Sequence, residues 1–258
     1  MMAQPLAIPA WTSIGGFSPD GDTLMMTMII GQPDSGKSDL AEQLVMEAAG
    51  AGQPVDLMDN ESDETQAGNL QAGMTACLKP GGKYYIATMI PYGQEGQTRV
   101  DRHREMRRDK GFVTIEEPAD MTRAASHING SHKPGTRDII LLECLSNLVA
   151  NVIFGNGDES DAGKLETASR HHDLEFPAGR ESCPLENPTA DMIARQVMSL
   201  KSAGADLYIV ANHFEIEEDY NQETGNYIYI NNLVNEILAD MSDTVYRLEE
   251  GHWTCSRR

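Results

Sequence analysis

Leu24-Met25-Met26-Thr27-Met28-Ile29-Ile30, running straight into Gly31-Gln32-Pro33-Asp34-Ser35-Gly36-Lys37-Ser38, is the stretch on which the fold turns. The apolar run suits a buried parallel strand. The eight residues after it fit G-x-x-x-x-G-K-[ST]. In that pattern, glycines let backbone N–H groups curl around phosphates, the lysine reaches the outer phosphates, and the Ser/Thr hydroxyl can ligate Mg²⁺. Lys37 to Ala49 then carries Leu40, Ala41, Leu44, Val45 and Ala48 at helical spacing, with Gly50 as the stop. Strand, glycine loop and helix in that order are the context the motif requires, and the helix start adds its positive dipole end.

Outward from this unit, apolar runs alternate with amphipathic segments. Strands are predicted at Tyr84–Met89, Phe112–Glu116, Ile139–Leu142 and Leu207–Ala211. Helices are predicted at Thr98–Arg108, Leu145–Phe154, Thr189–Ala203 and Asn231–Met241. Thr98 and Asp101 have the spacing of a capping box. Thr244–Leu248 and His252–Cys255 read as a terminal hairpin. Residues 53–83 and 155–188 read as polar insertions, and 1–22 as a flexible leader before a single domain over 23–258. The pattern predicts an α/β fold with a mostly parallel sheet flanked by helices. Ligands in such sheets sit beyond the carboxyl ends of the strands.

The chain has 258 residues and a net charge of −20. That field repels phosphate polymers and anionic lipid, so nucleic acid and membrane surfaces are excluded as expected partners. No apolar run is as long as a membrane helix. Cys77, Cys144, Cys183 and Cys255 are scattered without a C-x-x-C pair, which favours reduced thiols in a cytoplasmic protein over a disulfide framework.

Two groups stand out against the acidic background. Glu143 follows the aliphatic run Ile139-Ile140-Leu141-Leu142, which would set its carboxylate at the crevice. There it could hold a Mg²⁺-bound water or take a proton from an attacking hydroxyl. Between Arg99 and Lys110 lie six of the 20 basic residues. Arg99, His103 and Arg107, at i, i+4 and i+8, share one helix face. Neighbouring positive charge disfavours protonation of an imidazole, and a neutral imidazole is a nucleophile. From the residues alone, a solvated charged helix is as good a reading. The other histidines are weaker: His171 and His172 fall in the second insertion, His127 and His132 in a loop, and His213 just after a strand.

Taken in order, the motifs resemble one family, the bifunctional adenosylcobinamide kinase / adenosylcobinamide-phosphate guanylyltransferases of cobalamin biosynthesis. The resemblance runs through Ser35-Gly36-Lys37-Ser38, Tyr85-Ile86-Ala87-Thr88 and Arg99-Val100-Asp101-Arg102-His103 with Arg107. It continues through Thr114-Ile115-Glu116-Glu117-Pro118, Leu141-Leu142-Glu143-Cys144-Leu145 with Asn151, Val210-Ala211-Asn212 and the Asn235 helix. It implies phosphorylation of the aminopropanol hydroxyl of adenosylcobinamide by ATP or GTP with Mg²⁺. It further implies transfer of GMP from GTP onto that phosphate through a covalent adduct on His103. Gly31 to Ser38, Thr88, Met89, Ile90, Arg99, Arg104, Glu105, Met106, Arg107, Glu116 and Glu143 would line the nucleotides. Lys37, Glu143 and His103 would be catalytic, and Ser38 would ligate Mg²⁺. Glu116 suits guanine, because a carboxylate accepts from N1–H and the 2-amino group. The resemblance also implies a homo-oligomer, expected as a trimer. One departure is clear: His213-Phe214-Glu215-Ile216 stands where the family has a glutamate–valine–glycine run. Two rival readings are another P-loop small-molecule kinase and a non-catalytic nucleotide-binding regulator.

Overall fold

The structure, a computed structural model, describes residues 24–50, 79–133, 136–155, 187–216, 220–249 and 252–257. The leader, most of both insertions, and His171 and His172 lie outside the described residues.

The elements follow in the order β1 (Met26–Gly31), α1 (Lys37–Gly50), β2 (Lys79–Ala87), α2 (Gly93–Arg107), a 3₁₀ turn (Arg108–Lys110), β3 (Val113–Glu116), α3 (Met121–Asn129), β4 (Thr136–Glu143), α4 (Leu145–Phe154), α5 (Pro188–Lys201), β5 (Ala205–Asn212), α6 (Gln222–Met241), β6 (Thr244–Glu249) and β7 (His252–Arg257). They build one seven-stranded sheet in the order β3-β2-β4-β5-β1-β6-β7. Every neighbouring pair is parallel except β6 and β7, which form the expected antiparallel hairpin.

The central strands are buried on both faces, so their sequences read as continuous apolar runs whose alternate residues serve opposite cores. Met28 and Ile30 of β1, Ile140 and Leu142 of β4, and Leu207 and Ile209 of β5 face α3, α4, α5 and α6. Ile29, Leu141, Tyr208 and Val210 face α1, through Ala41 and Val45.

Helix starts follow local capping chemistry. Asn187 accepts from Thr189 N and Ala190 N, both at 3.1 Å, with Pro188 in the first helical turn. Asn221 accepts from Thr224 N at 2.8 Å.

Several boundaries correct the sequence expectations. Helix α2 begins at Gly93, not Thr98; Thr98 lies inside it and turns its hydroxyl back to Gln94 O at 2.8 Å. The glycines at 93 and 96 disguise the first turn. Asp101 caps nothing and instead accepts from Gln97 at 3.0 Å. Helix α3 was not expected and places His127 in a helix. Its signal is Asp120, which accepts from the Thr122 and Arg123 amides ahead of buried Met121, Ala124, Ala125 and Ile128. Helix α6 begins at Gln222, not Asn231, because Tyr227-Ile228-Tyr229-Ile230 alternates like a strand while its neighbours supply helical packing.

Residues 79–83, expected in the first insertion, open β2. The diglycine there answers a close approach: a Cβ at Gly81 would meet the Asp138 carboxylate and stand 2.8 Å from the Arg137 carbonyl. This amino end of the sheet carries its own polar ties. Arg137 is bidentate to Asp206 at 2.7 Å, and His132 Nδ1 lies 2.8 Å from Asp138. His132 is therefore a structural partner, remote from the carboxyl ends.

Candidate active site

Strand register assembles the site. Ala87 of β2 pairs with Glu116 of β3 on one side and Glu143 of β4 on the other, and Gly31 of β1 pairs with Asn212 of β5. The two glutamates and the phosphate loop thus stand on the same edge of the sheet, at its carboxyl ends. Helix α4 lies over this edge. Ser146 Oγ accepts from Asn212 N at 3.0 Å, and Asn151 donates to Thr88 O and Pro118 O at 2.8 and 2.9 Å.

The phosphate loop turns between β1 and α1 through two left-handed residues, Asp34 at φ 55° and Gly36 at φ 81°. Glycine is free there, and Asp is among the few side chains that tolerate the region. Gln32, Pro33, Asp34 and Gly36 are exposed, Gly31 is buried and Ser35 is half-buried. The Lys37 side chain is buried and donates to Gln32 O and, at 3.1 Å, to Ser35 Oγ. Burial pulls the Lys37 ammonium below the ordinary lysine range, against the opposing effects of Cys144, Glu143 and Asp34.

Ser38 Oγ donates to Glu143 Oε1, while Glu143 Oε2 is buried with no hydrogen-bond partner. A hydroxyl and a carboxylate in contact, with one carboxylate oxygen buried and orphaned, are hard oxygen donors that fit Mg²⁺.

The basic helix reaches this edge at its carboxyl end. Arg107 is 6% exposed, and its guanidinium lies 3.4 Å from the centroid of the Tyr85 ring. Its Nε and Nη1 are buried without partners. The Tyr85 hydroxyl is held well above its usual range, first by burial and then by the neighbouring Glu143 carboxylate. Tyr85 therefore joins Arg107 to the Glu143–Ser38 pair. His103 is half-buried one turn before Arg107, about 6 Å along the axis. Arg99 is exposed two turns before it. An ion pair between half-buried Lys110 and Glu42, which is 2% exposed, ties the 3₁₀ turn after α2 to α1.

The remaining expected residues are placed as follows. Arg104 pairs with Glu116 and sits 3.7 Å from Asp101; Glu105 pairs with Arg108. The Glu116 carboxylate, expected from the sequence to read guanine, is thus already engaged by a guanidinium. Thr88 is fully buried, and its hydroxyl both donates to Cys144 O and accepts from Cys144 N at 2.8 Å. Met89 and Ile90 are half-buried in the link to α2. The side chain of Met106 lies outside the described residues. Tyr85 and Lys110 fall within the quoted motifs but carry no predicted role, and Glu42 is not singled out. Nothing in the sequence shows that the Tyr85 ring meets Arg107 or that Lys110 meets Glu42, because each partner lies on a different element.

A phosphate loop on a mostly parallel α/β sheet, with a serine–glutamate pair beside it, defines a P-loop nucleotide-binding protein. Within that class the chain belongs to the cobinamide kinase / cobinamide phosphate guanyltransferase family, which it matches over residues 70–254. It is therefore a transferase of cobalamin biosynthesis, in a family defined by those two activities. The phosphate loop precedes the matched stretch and rests on its own motif and geometry. No curated protein matches the chain. Among solved structures, an ATPase domain aligns with a TM-score of 0.42 at 9% identity, over 93% of this chain and 79% of that one. Among the described residues, no helix is long and apolar enough to cross a membrane, and no group of three or more His, Cys, Asp or Glu is placed to hold a metal ion.

Proposed function

We propose that the chain phosphorylates adenosylcobinamide from ATP or GTP, then transfers GMP from GTP to the product through a phosphoramidate on His103. The observation that carries this reading is the stack of Arg107 on Tyr85, which brings the His103 helix to the edge occupied by Ser38 and Glu143.

In the kinase step, the backbone of residues 31–36 cradles the triphosphate. Lys37 leaves Gln32 O and Ser35 Oγ for the outer phosphates. The aminopropanol hydroxyl attacks the γ-phosphorus, the bond to the β–γ bridging oxygen breaks, and the nucleoside diphosphate leaves. Ser38 and Glu143 would hold Mg²⁺, which supplies charge neutralisation on the phosphates when bound. Glu143 also stands as the acceptor for the hydroxyl proton.

In the second step, an imidazole nitrogen of His103 attacks the α-phosphorus of GTP and pyrophosphate leaves. A phosphate oxygen of adenosylcobinamide phosphate then displaces the imidazole, giving the GDP-linked product. The two unpartnered N–H groups of Arg107 are donors for the phosphate chain. Arg99 adds charge, and Glu116 released from Arg104 reads guanine. Met89, Ile90, Glu105 and Met106 complete the nucleotide wall, with buried Thr88 supporting it from behind through Cys144. The protein acts in the cytoplasm as a homo-oligomer, a trimer, whose size light scattering would report.

The test is incubation with GTP labelled in its α-phosphate, followed by peptide mapping of the parent and of His103→Ala. The expected result is an acid-labile, base-stable label on His103, absent from the variant, with the kinase step retained. Label on another residue, or undiminished label on the variant, removes His103 from the mechanism and leaves a plain kinase.

A further inference from the structure

The segment that departs from the family, His213-Phe214-Glu215-Ile216, does not trail away from the sheet. His213 N donates to Gly31 O at 3.0 Å, so the chain beyond β5 is fastened to the first residue of the phosphate loop. Phe214 follows and is gripped at both backbone groups by one side chain: Asn232 Oδ1 accepts from Phe214 N at 3.4 Å, and Asn232 Nδ2 donates to Phe214 O at 2.7 Å. The Phe214 ring packs on Tyr227 with centroids 5.7 Å apart, and Tyr227 packs on Phe154 at 6.1 Å. Tyr227 is anchored in turn by its hydroxyl, which donates to Ser146 O at 3.3 Å.

Three rings from three elements thus form one fixed surface beside the carboxyl ends of the strands. Its outer member, Phe154, is 57% exposed, and Ile216, two residues beyond Phe214 in the chain, is 70% exposed. Aromatic rings held rigidly and left open to water beside a phosphate loop are poised for a ligand with a broad apolar surface. The phosphoryl acceptor of this family has that form. Cobinamide is a methylated macrocycle with a wide face and carboxamide arms, and it must bring a hydroxyl on one arm to the nucleotide phosphates.

We propose that Phe154, Tyr227 and Phe214, with Phe214 locked by Asn232, form the seat for the corrin face of cobinamide. This proposal rests on the substrate reading above. Phe154 touches the macrocycle, whereas Asn232 acts through Phe214 and is a positioning residue.

The test is equilibrium dialysis of adenosylcobinamide, followed by its visible absorbance, with nucleotide affinity measured in parallel as a control for the fold. Phe154→Ala should weaken adenosylcobinamide binding roughly tenfold, the loss of one aromatic contact and its buried area. Nucleotide affinity should stay within about twofold. Phe154→Tyr should restore binding. Asn232→Leu, which releases Phe214, should raise KM for adenosylcobinamide more than it lowers kcat. Unchanged affinity in Phe154→Ala overturns the seat. So does a changed oligomeric state with unchanged affinity, which would assign the rings to a subunit contact. A parent protein that binds nucleotide but no adenosylcobinamide overturns the substrate reading itself, a result distinct from failure of the seat.

Discussion

Arg107→Met separates a binding role from a structural one, because the two predict opposite signs. Arg107 is 6% exposed and carries two buried donor nitrogens, Nε and Nη1, with no acceptor. Each such group costs about 1–3 kcal/mol. Against that stands the stack on Tyr85, a cation–π contact of about 0.5–2 kcal/mol. Methionine keeps contact with the ring through its thioether, recovering about 0.3–1.5 kcal/mol, and removes both orphaned donors. Removing both orphaned groups, about 2–6 kcal/mol together, outweighs a net loss of about 0–1 kcal/mol in ring contact, so the variant should be more stable than the parent by about 2–5 kcal/mol. At about 2–4 °C per kcal/mol, thermal unfolding would show this as a rise of several degrees. Triphosphate binding should move the other way. Losing even one charge-assisted hydrogen bond to phosphate costs about 1.5–3 kcal/mol, or at least roughly tenfold in affinity. The assay is a thermal melt of both proteins with and without GTP, alongside a direct GTP titration. A lower melting temperature with unchanged GTP affinity would refute the reasoning and make Arg107 a structural residue.

Lys37 gives a pH signature. Its folded pKa lies below the ordinary 10.5, so between that lowered value and 10.5 the unfolded chain holds a proton that the native chain has shed. Stability from this group should rise with pH across that window, while triphosphate affinity falls as the ammonium loses its charge; Lys37→Met should flatten both trends in melts and titrations. Lys110→Met leaves the Glu42 carboxylate buried and unpaired. Because Lys110 is itself partly solvated, the expected loss is about 2–3 kcal/mol, at the low end for a broken buried pair, read by denaturant unfolding. Glu116→Gln should weaken GTP more than ATP in competitive binding, since an amide donates where guanine also donates. Equal loss for both nucleotides would assign Glu116 to its ion pair with Arg104.

Some of this molecule was readable residue by residue because its chemistry is local. The phosphate loop needs only a strand, a glycine turn and a helix start that are contiguous in the chain, so residues 24–49 announced it. The buried strands announced themselves because a sheet covered on both faces requires continuous apolar runs, and Glu143 could be placed because it ends one of them. Other features needed the fold. Helix starts hidden behind Gly93 and behind the Tyr227–Ile230 alternation depend on packing that no short window contains. The opening of β2 depends on Asp138, which is 56 positions along the chain from Gly82 and which only diglycine can approach so closely. The sequence marked Arg99, His103 and Arg107 as sharing a face but left all three equal. Register and tertiary contact then buried Arg107 against Tyr85, left Arg99 in solvent and set His103 between them. Sequence spacing determines which side chains share a helix face; only the sheet across from that face decides which of them loses its water.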